Sequence, residues 1–127
     1  MMMEDSKEDS VKSISAVTFI VASMEVSVSF YESLGFKKLY GGASEAFTSF
    51  RVGDGYLNIA SGRREKFRLW GRVIFYVEDV DEMYRRALSV GLEPSTAPTD
   101  AAWGERYFHL SDPDGNELSF ACPLKTD

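Results

Sequence analysis

The stretch "HLSDPDGNELSF", His109 to Phe120, gathers the side chains best suited to chemistry in this chain: an imidazole, two aspartates and a glutamate. Imidazole and carboxylate together hold zinc or iron, and a carboxylate near an imidazole can also serve in acid–base catalysis. Turn formation competes for the same residues. Pro113 presets φ, Gly115 accepts φ > 0, and the flanking "RYFHL" and "ELSFA" have strand composition. Asp112 and Asp114 are therefore read as turn residues rather than ligands.

Donor supply limits the metal reading further. A site of two histidines and one carboxylate needs two imidazoles, and the chain has one histidine and one cysteine. Even a dimer sharing sites across its interface would fall short. His109 is read as a strand residue hydrogen-bonded near the turn. Cys122, in "LSFAC", is read as a buried, inert thiol; with no second cysteine it cannot close an intramolecular disulfide, which fits a reducing compartment.

The elements that must position these residues show an internal repeat. "VTFIVASMEVSVSFYESLGF" from Val17 overlies "VIFYVEDVDEMYRRALSVGL" from Val73, with Val17/Val73, Phe19/Phe75, Val21/Val77 and Gly35/Gly91 identical. Each copy reads as strand, helix and glycine stop. Ser23 is the expected N-cap of the first helix, with Phe30 and Leu34 on its apolar face. Asp79, followed by Glu82, caps the second, whose stripe is Val80, Met83, Ala87 and Leu88. After each helix an Asp-Gly turn runs into an alternating strand, "VGDGYLNIA" and "DPDGNELSFA". Each half is thus a strand, a helix and about three strands, and "STAPTDAAWGER" is read as a loop.

A chain of 127 residues suits one domain around one core. Residues 1–12 are expected to form a disordered acidic tail. The domain spans 13–123, with one module at about 13–62 and the other at about 70–123. The formal net charge of −6 opposes phosphate backbones, and "RREK" at Arg63 to Lys66 is too short to make a basic stripe, so nucleic acid is not an expected partner. No apolar run approaches the roughly 20 residues of a membrane span, and the start is acidic where a secretion signal would be basic and then apolar. A soluble, cytoplasmic protein is expected.

The two strand–helix–strand halves, with "FYESLGF" ending the first helix, "VEDVDEMYRRALSVGLEP" opening the second half and "DPDGNELSF" closing it, resemble the vicinal oxygen chelate superfamily. That superfamily includes glyoxalases, extradiol dioxygenases, fosfomycin-resistance transferases and bleomycin-resistance proteins. The resemblance implies an α+β fold in which two βαβββ modules form a curled mixed sheet with a concave cavity and helices outside. It also implies dimers and, in metal-dependent members, four ligand positions. These fall at Ala16, Arg72, Ser119 and Asn58. Aligning the two Asp-Gly turns without a gap instead sets Ile59 opposite Ser119. None of these side chains is a strong ligand for a divalent transition metal. In character the chain is closest to the metal-free, bleomycin-resistance-like branch, with no metal and no cofactor expected.

Strand alternation then predicts the cavity lining: Ala16, Thr18, Ile20, Tyr56, Asn58 and Ala60 from one half, and Arg72, Ile74, Tyr76, Glu117, Ser119 and Ala121 from the other. The loop "AAWGERYF" adds Trp103, Arg106 and Tyr107 beside that face; Phe67 and Trp70 are assigned to packing. The expected ligand-binding set is Asn58, Arg72, Tyr76, Trp103, Glu117 and Ser119, with Arg72 either paired to Glu117 or holding an anionic group. No catalytic residue is assigned. Three functions fit: a metal-free binder of a drug or metabolite, acting as a homodimer; a lyase, dioxygenase or metal-independent isomerase with Glu117 or His109 as base; or an interaction module whose cavity Tyr56, Tyr76 and Arg72 fill.

Overall fold

The computed structural model describes residues 13–62 and 72–125; the "RREK" run, Phe67, Trp70 and residues 1–12 lie outside the described residues. The elements follow the repeat. The first module runs β1 (Ala16–Val21), α1 (Met24–Ser33), β2 (Lys37–Tyr40), β3 (Phe47–Val52) and β4 (Gly55–Ser61). The second runs β5 (Arg72–Tyr76), α2 (Val80–Ser89), β6 (Thr99–Asp100), β7 (Glu105–Ser111) and β8 (Glu117–Pro123). Each module is a mixed four-stranded sheet, ordered β1-β4-β3-β2 and β5-β8-β7-β6. This is the α+β, βαβββ pair that the sequence predicts.

The helix ends form for the expected reasons. Ser23 accepts from the Val26 amide at 3.2 Å and Asp79 from the Glu82 amide at 3.0 Å, each satisfying a first-turn donor that has no partner within the helix. Gly35 and Gly91 stop the two helices at φ 97° and 86°, the left-handed region that a side chain resists. The apolar stripe of α2 differs by one residue from expectation. Val80 and Ala87 are buried and Met83 and Tyr84 partly so, whereas Leu88 is half exposed. "STAPTDAAWGER" is not wholly loop, because Thr99 and Asp100 pair with Tyr107 and Arg106 and Glu105 already belongs to β7.

The strand register settles which residue faces which way. Thr18 pairs with Asn58, and Ile74, its counterpart in the repeat, pairs with Ser119, so Asn58 and Ser119 are equivalent. Ile59 is fully buried in the core. The two turns differ in length, which explains the conflict in alignment. Val52 pairs with Gly55 across a two-residue turn, Gly53-Asp54, while Ser111 pairs with Glu117 across the longer Asp112-to-Asn116 loop.

That longer loop joins the modules. Asp112 Oδ1 accepts from the amides of Asp114 (2.9 Å) and Asn116 (2.8 Å), which is the expected turn chemistry. Both aspartates are also buried against α1. Asp112 Oδ2 accepts the Tyr31 hydroxyl at 2.7 Å and the Asn116 side-chain amide at 2.8 Å. Asp114 accepts from the Ala22 amide at 3.0 Å, just before the N-cap, with the Ser27 hydroxyl at 3.5 Å from its second oxygen. Carboxylates there also favour the positive end of the α1 dipole. Phe36 adds an apolar bridge, its ring edge-on to Tyr31 and Phe50 of its own module and to Phe75 and Phe120 of the other. One core therefore serves both modules.

Tyr31 is fully buried, and burial together with the Asp112 carboxylate raises its hydroxyl well above the ordinary range, so it remains a donor. Tyr31→Phe removes one bond to a charged group and is expected to lower stability by about 1.5–3 kcal/mol. Asp112→Ala leaves Tyr31, Asn116 and two amides without that acceptor and is expected to cost more, at least about 3 kcal/mol. Urea unfolding of the two variants checks both the size and the order. Equal, sub-kcal effects would mean that the clasp is not what joins the modules.

Candidate binding pocket

On the second sheet, the face opposite α2 carries a pocket of about 350 Å³ lined by Arg72, Ile74, Trp103, Glu105, Tyr107, His109, Ser119 and Ala121. Its floor comes from β5 and β8, with Arg72 beside Glu117 and Ile74 beside Ser119. Its far wall is β7, where alternation places Glu105, Tyr107 and His109 on this face and sends Phe108 and Leu110 into the core.

Every polar group on this floor has a partner. Arg72 forms an ion pair with Glu117 at 3.0 Å, the pairing that the sequence allowed. His109 Nδ1 lies 2.7 Å from the Ser119 hydroxyl, with one of the two donating. Glu105 is held at the mouth by two aromatic donors, the Trp103 indole N–H at 3.0 Å and the Tyr76 hydroxyl. Trp103, largely exposed, stacks on Tyr107 with centroids 5.7 Å apart, and Tyr107 in turn leans on His109 at 5.0 Å. The result is an aromatic wall beside two carboxylates and one guanidinium.

Of the predicted ligand-binding residues, Arg72, Trp103 and Ser119 line the pocket. Glu117 is tied to it through Arg72, and Tyr76 stands at its rim through Glu105. Asn58 is not brought there. It sits on the first sheet, where its amide donates to Thr18 Oγ1 at 3.4 Å and its buried Oδ1 has no partner among the described residues. Arg106 also departs from expectation. One step out of phase with Tyr107, it points to the other face and bridges Asp81 (3.0 Å) and Asp100 (2.8 Å). Tyr56 and Tyr76 remain exposed rather than filling the cavity. Cys122 is partly, not fully, buried and packs against the core.

Glu105 was missed as a site residue, and His109 was named only as a candidate base, not among the expected ligand-binding residues. Their signal was present in the sequence: with Tyr107 on the face, period-two alternation carries Glu105 and His109 with it. Reading Glu105 as loop hid that signal.

The positions that hold a metal in metal-dependent relatives do not suit one here. Ala16 has no donor, Arg72 is a cation committed to Glu117, Ser119 is bonded to His109, and Asn58 is on the other sheet. Among the described residues no group of three histidine, cysteine, aspartate or glutamate side chains is placed to hold an ion.

Comparison with known proteins agrees with this architecture. Residues 13–120 match the family model of the glyoxalase/bleomycin resistance protein/dioxygenase superfamily. The chain belongs to that superfamily. A bleomycin resistance protein of Staphylococcus aureus is 41% identical over 51 residues, 39% of this chain and 39% of that protein. An uncharacterized protein of Mycobacterium tuberculosis is 41% identical over 49 residues, 39% of this chain and 29% of that protein. The match thus spans only about a third of the length of these curated relatives. Among solved structures, the bleomycin resistance determinant encoded on transposon Tn5 superposes with a TM-score of 0.71 at 26% identity, covering 88% of this chain and 98% of that one. A lactoylglutathione lyase of Agrobacterium tumefaciens, at 17% identity and TM-score 0.70 over 86% of this chain and 92% of that one, shares the fold.

Burial of the imidazole, reinforced by the neighbouring Arg72 guanidinium and opposed by Glu117, lowers the pKa of His109 below its ordinary 6.5. The ring is therefore neutral at pH 7, and any stability that depends on its neutral form is present above about 6.5 and declines as the pH falls below it. As the chain's one histidine, its ring C–H resonances identify it without assignment. An NMR titration is expected to give a midpoint below 6.5, and Arg72→Gln, which removes the repelling cation and frees Glu117, is expected to move that midpoint up. A downward move would remove Arg72 from the pocket's electrostatics.

Proposed function

We propose that the chain is a metal-free small-molecule binding protein of the bleomycin-resistance type, taking a planar, cationic organic molecule against the Trp103–Tyr107 stack. The observation that carries this reading is the fate of the superfamily's metal positions. Arg72 is engaged by Glu117 and Ser119 by His109, while an aromatic wall with a carboxylate at its mouth lies beside them. Stacking contributes about 0.5–1.5 kcal/mol beyond burial, and Glu105 and Glu117 outnumber Arg72 in charge, which favours a cation. The similarity to proteins named for bleomycin resistance points the same way.

The protein acts as a homodimer in this reading. Ile20 on the first sheet, Ile74 and Tyr76 on the second, and Trp103 in the turn before β7 are exposed apolar side chains. A partner subunit would cover them. Among the described residues no helix is long and apolar enough to cross a membrane, and the proposed location is cytoplasmic.

One observation favours a second reading, a metal-independent isomerase or lyase. His109 is a neutral imidazole oriented by Ser119, as a general base must be, and it lines the pocket. Turnover that falls as His109 is protonated and disappears in His109→Asn would establish that reading.

Native mass spectrometry of protein purified without chelator, with and without metal-free bleomycin, tests the binding proposal. A metal-free dimer that takes up the drug is expected, with Trp103→Ala weakening binding about 2- to 12-fold. Stoichiometric metal, or affinity indifferent to Trp103, would overturn it.

A further inference from the structure

A second cavity lies where the two modules meet, away from the Trp103 pocket. It holds about 150 Å³ and is walled by Leu34 and Phe36 after α1, Val52 at the end of β3, Phe75 on β5, Met83 on α2 and Phe120 on β8. An apolar space of ~150 Å³ is enough for one benzene ring.

Arg51 stands at its rim. Its guanidinium carbon lies 5.7 Å from the centre of the Tyr56 ring, which holds the charge in place without neutralising it. Among the described residues no carboxylate comes within ion-pair distance of Arg51, although the chain carries 20 acidic residues against 14 basic ones. Arg72 and Arg106, by contrast, are paired: Arg72 with Glu117, and Arg106 with two aspartates. An unpaired guanidinium beside a ring-sized apolar space complements a molecule with an apolar body and a carboxylate head, which the fork of N–H donors can hold by two bonds.

We propose that this inter-module crevice is a binding site for a small monocarboxylate with a single-ring or branched apolar body, its carboxylate on Arg51 and its body against Phe36, Phe75, Met83 and Phe120. The site is distinct from the Trp103 pocket, and the two meet at Tyr76, which borders the crevice and donates to Glu105 of the other pocket. It draws on residues of both modules, so occupancy braces one module against the other.

Full-length protein labelled with ¹³C at the methionine methyls tests this with benzoate and its neutral isostere benzamide. Met83 lines the crevice, while Met24 sits elsewhere, with its sulfur accepting from Thr48 at 3.2 Å, and serves as the internal control. Benzoate is expected to shift the Met83 methyl and leave Met24 unmoved, binding about tenfold more tightly than benzamide. Arg51→Gln is expected to reduce benzoate to the benzamide level and Arg51→Lys to fall between, while Trp103→Ala leaves benzoate binding unchanged. Equal affinity for the two compounds, an unmoved Met83 methyl at saturating benzoate, or loss of benzoate binding in Trp103→Ala would each overturn the proposal. The first outcome removes the role of Arg51, the second the site itself, and the third places the acid in the other pocket.

Discussion

The buried carboxylate of Asp112 is the constraint on which the rest of this molecule depends. Burying an ion is costly unless its lone pairs are filled, and here four donors fill them: two from its own turn, one from Asn116 and one from Tyr31 in the opposite module. A turn that only reversed the chain would need the first two. The Tyr31 bond makes the same turn a clasp, and Asp114 repeats the device one helical turn away at Ala22 and Ser27. Because the contact is directional, it sets how the second sheet sits against the first helix. The ring of Phe36 then completes a shared core that hydrophobic burial alone would leave free to slide.

The two modules began from one pattern and have diverged on the faces turned away from their helices. On the helix-facing side Phe19 and Phe75 keep equivalent core positions, although buried Leu34 answers exposed Val90. On the other side Ala16 answers Arg72, and Asn58 answers Ser119. The first sheet presents a short polar row of Thr18 and Asn58, while the second has acquired an ion pair, an imidazole and an aromatic wall. Core positions are held by packing, which a single methylene disturbs, whereas the open face is free to change its chemistry.

Much of the fold was legible along the chain. Ser23 and Asp79 cap the two helices and Gly35 and Gly91 end them because these are local effects, decided within a few residues by hydrogen-bonding reach and by allowed φ. Alternation correctly predicted which residues of β1 and β5 leave the core, and it set Ser119 and Ala121 of β8 on the pocket face, where both are buried. It failed where an element boundary was misjudged. Glu105 was missed because it was assigned to the loop, and Arg106 was set beside the pocket although it is one step out of phase with Tyr107. The equivalence of Asn58 and Ser119 needed the parallel pairing of β1 with β4 and of β5 with β8, since two turns of unequal length conceal the offset in any gapless alignment.

By itself, then, the sequence determined the two-module architecture, the helix ends, the faces of most strands and the weakness of the metal-ligand set. All of these follow from residue type and short-range spacing. Tertiary structure alone decided that Asp112 reaches Tyr31 across 81 positions, that Arg72 is spent on Glu117, that His109 rests on Ser119, and that Arg51, among the described residues, has no ion pair beside an apolar crevice. The physical reason is the same for each. Hydrogen bonds and ion pairs act over a few ångströms, so which groups pair depends on where the chain folds them, and spacing along the sequence carries no record of that distance.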